Sequence, residues 1–132
     1  MATMQVDVVS AEERLFSGQA EAVFARSFEG EIAILPGHQP ALLALTTAPV
    51  RVRTEEGDEV DVAVHHGFLE VREDQLTVLA DIAELATQID VERAKAARRR
   101  AEQHLADESY TGDAQAELDR AKLRLRLAGE DA

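Results

Sequence analysis

The chain contains no cysteine among its 132 residues, which excludes a disulfide framework and a thiol nucleophile and fits a reducing compartment. It also lacks a long hydrophobic run. The best stretch, ALLAL at 41–45, falls far short of the ~20 apolar residues that a membrane-spanning helix needs. Membrane association is therefore expected only through a partner, with no direct insertion. The first ten residues, MATMQVDVVS, have no basic start followed by an apolar segment and do not read as a signal peptide. No G-x-x-x-x-G-K-S/T loop occurs, and no carboxylate stands where it would hold magnesium beside one, so hydrolysis of a nucleotide by this chain alone is not expected. Proline is absent from residue 91 onward.

What is present supports a folded protein. The 45% hydrophobic content allows a real core in one ordinary domain, or in a small domain with an appendage. Charge is unevenly spread: residues 1–90 hold 5 basic and 17 acidic side chains, whereas residues 91–132 hold 9 of each. The formal net charge of -12 therefore belongs wholly to the first segment. That excess repels phosphates, so no nucleic-acid partner is expected.

Hydrophobic periodicity divides the chain in the same region. Up to about residue 80 it is two, as in Val50 and Val52, in Val60, Val62 and Val64, and in Leu76 and Val78, the mark of strands with one buried face. Turn signals separate the runs: EEGD at 55–58, HHG at 65–67 and REDQ at 72–75. This spacing predicts an antiparallel β-sandwich or barrel. LPGHQP at 35–40 is expected as an ordered surface loop, because Pro36 and Pro40 lack the amide a ladder requires.

From residue 91 the period lengthens to three or four, and alanine, leucine and charged residues of good helix propensity dominate. One stripe is Ala94, Ala97, Ala101 and Leu105; a second is Ala114, Leu118, Ala121 and Leu125. Gly112 breaks the run and Asp113 is suited to cap the next helix, which predicts an antiparallel hairpin. The expected organisation is thus α+β, with a sandwich over residues 1–85 and a helical hairpin over 86–132. An alanine seam buries little area per residue, so the hairpin is expected to rearrange more readily than the sandwich.

Within QIDVERAKAARRRAEQ at 88–103, five basic residues, Arg93, Lys95, Arg98, Arg99 and Arg100, crowd into an acidic protein. Such a cluster is either a solvated helix face or an anion site. In an antiparallel hairpin the residue numbers of facing pairs have a nearly constant total. It is 217 for Arg93 with Arg124 and 220 for Arg100 with Arg120, so four guanidinium groups are expected to converge. Their repulsion would be relieved by a polyphosphate, whose oxygens suit planar, bidentate donors. The plainer alternative is local. Asp90 stands where a helix N-cap belongs, Glu117 is three residues from Arg120, and Arg124 and Arg126 suit a helix C-terminus.

The segments DVVSAEERLFSG at 7–18, GEIAILPGHQPALLAL at 30–45, HHGFLEVREDQLTVLAD at 65–81 and IDVERAKAARRRAEQHL at 89–105 together resemble the epsilon subunit of the F-type ATP synthase, over nearly the whole chain. The resemblance implies a central-stalk subunit on the cytoplasmic face of the cell membrane. Its sandwich would bind the gamma subunit and the c-ring, and its mobile hairpin, when extended toward the alpha and beta subunits, would restrain ATP hydrolysis. The family's ring-contacting loop falls on Glu29, Gly30, Glu31 and His38, although Gly30 and Gly37 also read simply as turn formers.

Some members of that family bind ATP on the folded hairpin without hydrolysing it. Their Ile-Asp-x-x-Arg-Ala signature matches Ile89, Asp90, Arg93 and Ala94, with Glu84, Arg100, Arg120 and Arg124 as further positions implied by the resemblance. No cofactor is required under this reading, and ATP is a regulatory ligand. Two other classes stand beside it. One is a free-standing nucleotide-sensing adaptor of the same architecture. The other is a metal enzyme built on His65 and His66, which is disfavoured because adjacent strand residues point to opposite faces.

Overall fold

The computed structural model describes residues 2–130. They form two compact units that divide between Leu85 and Ala86. The first is six strands: β1 (Met4–Ser10), β2 (Arg14–Ser27), β3 (Gly30–Ile34), β4 (Ala41–Thr54), β5 (Glu59–Arg72) and β6 (Gln75–Leu85). Their order is β1-β6-β5-β4-β2-β3, and an additional β1–β2 pairing closes the sheet on itself. The expected α+β class holds, with one departure from a purely antiparallel sandwich. β1 runs parallel to β6, with Val6 opposite Leu76 and Val8 opposite Val78, while its other edge pairs antiparallel with β2. Two partners leave β1 with no free edge, which removes a site for unwanted strand addition.

The core follows the period-two positions: Val50, Val52, Val62, Val64, Leu76 and Val78 are all at most 1% exposed. The inward parity, however, switches along three neighbouring strands. β5 buries Val62 and Val64 and then Leu69 and Val71; β4 buries Leu45 and then Val50 and Val52. On β6, Leu76 and Val78 point in, whereas beyond residue 80 it is Ala83 and Leu85 that pack on the core. A crease therefore crosses the sheet, and the long strands fold over it to make the two layers of the sandwich.

HHG at 65–67 lies on that crease, inside β5, so its reading as a turn between strands is corrected. His66 has φ 66° and Gly67 φ 149°, which bends the strand without ending it. A Cβ on Gly67 would lie 2.3 Å from the carbonyl oxygen of Leu79, so β6 passes too close for any side chain there. The two other turn signals are turns. Thr54 donates its amide to Asp58 across 55–57, and Glu73 and Asp74 link β5 to β6 as a two-residue reversal with both φ values positive.

The second unit begins with a short 3₁₀ turn (Ala86–Gln88) and continues as α1 (Val91–Ala106) and α2 (Ala114–Leu127). Asp90 caps α1 by accepting from the Arg93 amide at 3.0 Å, and Asp113 caps α2 by accepting from Ala116 at 3.0 Å. The seam between the helices contains Ala94, Ala101, Ala114, Leu118, Ala121 and Leu125, all buried. Leu105 departs from its predicted stripe and is 47% exposed. At that end of α1 it is His104 that reaches α2, with Nδ1 2.8 Å from Glu117 Oε1. Residue numbers 104 and 117 total 221, one above the larger total expected from the arginine pairs, so the antiparallel register is as read.

Candidate functional site

Two groups of candidate residues lie on different units. On the sandwich, Ser27 and Gly30 pair across the β2–β3 reversal, leaving Phe28 and Glu29 as its tip. The Ser27 hydroxyl donates to the Gly30 carbonyl at 3.1 Å and accepts from the Glu29 amide at 3.1 Å. Gly30 has φ 124°, a conformation that a side chain would strain. Glu29 and Glu31 are exposed. Glu31 pairs with Arg26 at 3.3 Å, but with 82% of its own side chain in solvent the pair is worth little and leaves the carboxylate available.

The following loop, residues 35–40, is ordered as the composition required. The His38 amide donates to the Leu35 carbonyl at 3.1 Å, with Pro36 and Gly37 as central residues and Gly37 at φ 85°. This is a type II turn, which needs a glycine at its third position. His38 is half-buried, and its Nδ1 lies 2.7 Å from the Gln39 carbonyl. A carbonyl only accepts, so Nδ1 carries the proton in this bond.

Close to this end of the sandwich an apolar row faces solvent. Phe68 pairs with Leu79 on one side and Ala44 on the other, and the Phe28 amide donates to the Ala44 carbonyl. Phe28, Leu42, Phe68 and Leu79 are 67%, 66%, 53% and 56% exposed. No signal singled out these residues in the sequence, because their outward parity holds only beyond the crease.

On the hairpin, Asp90, Arg93 and Ala94 open α1. Asp90 acts as its N-cap, Arg93 is exposed and Ala94 is in the seam at 2% exposure. Ile89 is half-buried just before the cap, and Arg100 is exposed two turns further on. Arg120 and Arg124 are half-buried on α2. The expected local partner of Arg120, Glu117, bonds through Oε1 to His104 and through Oε2 to the Tyr110 hydroxyl, while the Arg120 charge still lies near enough to favour its carboxylate. Glu84 is half-buried near the end of β6 and belongs to the sandwich unit.

His65 is buried, at 2% exposure, and His66 is exposed. Among the described residues no three His, Asp or Glu side chains gather as a metal site, and no helix is long and apolar enough to cross a membrane.

A closed six-stranded unit followed by a capped two-helix hairpin defines the class of protein. Residues 3–86 match the ATP synthase delta/epsilon chain β-sandwich domain, and residues 87–129 match the delta/epsilon chain long α-helix domain. The ATP synthase epsilon chain of Brevibacillus brevis is 55% identical over 107 residues, covering 81% of each chain. That of Streptomyces avermitilis is 43% identical over 125 residues, covering 95% of this chain and 94% of the relative. The chain belongs to the ATP synthase epsilon-chain family. Its fold is also that of a chain in the mitochondrial ATP synthase of Euglena gracilis, with a TM-score of 0.83 at 22% identity over 98% of this chain and 83% of that one. A second likeness is to a central-stalk and c-ring structure of the Tetrahymena thermophila enzyme, with a TM-score of 0.61 at 14% identity over 95% and 96% of the two chains.

Proposed function

We propose that this chain is a non-catalytic subunit of the central stalk. In this reading the sandwich joins the gamma subunit to the c-ring on the cytoplasmic face of the membrane, and the hairpin regulates ATP hydrolysis by binding ATP without cleaving it. Two features of the sandwich support the docking role. Glu29, Gly30, Glu31 and His38 sit on short, internally bonded turns, which can present acidic and imidazole groups to the polar loops of a membrane rotor without ordering cost. The exposed row of Phe68, Leu79, Leu42 and Phe28 suits burial against a protein partner.

One observation carries the nucleotide reading. Each of the four arginines stands one residue ahead of a buried seam residue: Arg93 before Ala94, Arg100 before Ala101, Arg120 before Ala121 and Arg124 before Leu125. A residue one step earlier in an α-helix is turned by about 100° about the axis. In two antiparallel helices, whose chains rotate in opposite senses when viewed from one end, that step brings both arginine pairs out on the same side of the seam. Four guanidinium groups there match a triphosphate, with Asp90 as an acceptor for the base or ribose. Ile89 would pack on the ligand and Ala94 keeps the helices close. Bound ATP stabilises the compact hairpin, and it shifts the hairpin's equilibrium only by its differential affinity for the compact and extended states.

Calorimetry of ATP binding to the full chain, with and without magnesium, tests this directly. Saturable binding that is lost in both Arg93→Ala and Arg120→Ala is the expected result. No binding at millimolar ATP would remove the nucleotide site while leaving the docking role. Copurification of gamma with the catalytic alpha and beta subunits tests the docking role separately, since a free-standing nucleotide sensor would come without them.

A further inference from the structure

Asp74 occupies a left-handed backbone position and makes two long-range bonds from it. It forms the two-residue reversal between β5 and β6 with Glu73, Glu73 at φ 50° and Asp74 at φ 60°. Such a reversal is made by Gly, Asn and Asp, the residues that enter the left-handed region most readily. From this turn the Asp74 carbonyl accepts from the Gln5 amide at 2.9 Å, which extends the β1–β6 pairing. Its carboxylate Oδ1 accepts from the Gly37 amide at 2.8 Å, 37 residues away in sequence. Within the Leu35–His38 turn the internal bond uses the His38 amide, so Gly37 NH has no role in closing that turn and is the group by which the loop is held from outside.

We infer that Asp74 is the positioning residue for the His38 loop. Its carboxylate ties the type II turn to the body of the sandwich and so sets the direction in which His38 is presented to the rotor. The inference rests on the reading of Glu31 and His38 as ring contacts. In this inference Asp74 acts through Gly37. The turn would accept glycine or asparagine equally at position 74, so it does not by itself require this carboxylate, whereas the bond to the Gly37 amide uses it.

The test uses the full chain and measures its affinity for detergent-solubilised c-ring carrying the gamma subunit, together with thermal stability and amide exchange at Gly37. Asp74→Gly suits the left-handed backbone and removes the hook. The expected result is an unchanged or higher melting temperature, faster exchange at Gly37, and binding weakened about tenfold, the scale of one hydrogen bond to a charged group. Asp74→Asn keeps an acceptor at Oδ1 and tolerates the left-handed backbone, so it should bind within about twofold of the parent. Glu73→Gly relieves strain in the same turn without touching the hook and should leave both binding and Gly37 exchange unchanged. If Asp74→Gly binds normally while Glu31→Ala and His38→Ala weaken binding, the inference is overturned and the ring-contact reading stands. If Glu31→Ala and His38→Ala also bind normally, the ring-contact reading fails and the inference falls with it.

Discussion

The imidazole of His104 lies flat against the phenol ring of Tyr110, with centroids 3.8 Å apart and planes 9° from parallel. Both rings then reach one carboxylate: His104 Nδ1 is 2.8 Å from Glu117 Oε1, and the Tyr110 hydroxyl donates to Oε2. One residue from each helix and one from the turn are thereby fastened together. The alanine seam buries little area per residue, so this fastening fixes the turn end of a hairpin whose apolar packing is modest.

Gly112 makes the fastening possible. A Cβ at that position would lie 2.5 Å from the Tyr110 hydroxyl oxygen and 2.6 Å from Cζ. Gly112→Ala is expected to push the ring away, losing both the stack and the bond to Glu117. Tyr110→Phe keeps the stack and loses only the bond, so its effect should be smaller. Amide exchange in the first turn of α2 checks the order: fastest in Gly112→Ala, intermediate in Tyr110→Phe, slowest in the parent. Equal exchange in all three would mean that the rings do not hold the turn.

The same group predicts a stability plateau in pH. The Tyr110 hydroxyl, then His104, holds the Glu117 carboxyl below its ordinary value of 4.5, while the bond to Glu117 is the main cause raising Tyr110 above 10.0. A depressed carboxyl contributes stability that is present above its unfolded value and lost as pH falls through the lowered one. A raised phenol contributes stability that is present below its unfolded value and lost as pH rises through the raised one. Hairpin stability should therefore fall at both ends, in acid below about pH 4.5 and in alkali above about pH 10. Melting followed by circular dichroism across that range should show both limbs. Both should flatten in Glu117→Gln, which removes the shared partner.

Much of this fold was legible because single residue types were under strong constraint. Period two marked the buried faces of β4, β5 and β6, and Asp90, Gly112 and Asp113 marked where the helices start and where the turn lies. Ala94, Ala101, Ala121 and Leu125 were found as the seam from spacing alone. What escaped was set by distant pairing. Nothing near Val6 announces that its neighbour is Leu76 in a parallel register. HHG looks like a turn because local chemistry cannot distinguish a strand that ends from one that bends under β6. Leu105 has the right spacing for the seam, but it stands in the last turn of α1, where His104 is the residue engaged with Glu117. The ring and nucleotide candidates could be named from resemblance, whereas Asp74 could not, since its link to Gly37 joins residues 37 apart in sequence.

The crease supplies the sharpest stability prediction for that unit. At Gly67 a Cβ would meet three backbone atoms of β6, the nearest at 2.3 Å, and backbone yields far less readily than a side-chain end. Gly67→Ala is expected to cost about 3 kcal/mol or more, through overpacking and backbone strain together. Gly57→Ala is the control: it also has a positive φ, 91°, but has nothing within 4 Å of the added carbon, so it should cost only about 1–2 kcal/mol. Urea unfolding of both variants separates the two terms. Equal losses would show that steric approach at the crease contributes nothing beyond φ.

At the open end of the hairpin, Gly129 and Glu130 act in series. Gly129, at φ 83°, ends α2 in a Schellman arrangement: its amide donates to the Arg126 carbonyl, and the Glu130 amide donates to Leu125 at 2.8 Å. That geometry places the Glu130 carboxylate 3.4 Å from Lys95 Nζ on α1, with about a third of each side chain exposed. The pair alone should contribute only about 0.5 kcal/mol, and Glu130→Gln should cost no more than that. Gly129→Ala meets no atom within 4 Å, so its cost of about 1–2 kcal/mol is backbone strain plus whatever follows from losing the cap. If the cap places Glu130, the two losses are not additive, and Glu130→Gln costs almost nothing in the Gly129→Ala background. Thermal melting of the two single variants and the double variant measures this coupling. Simple addition would show that Glu130 finds Lys95 without the cap.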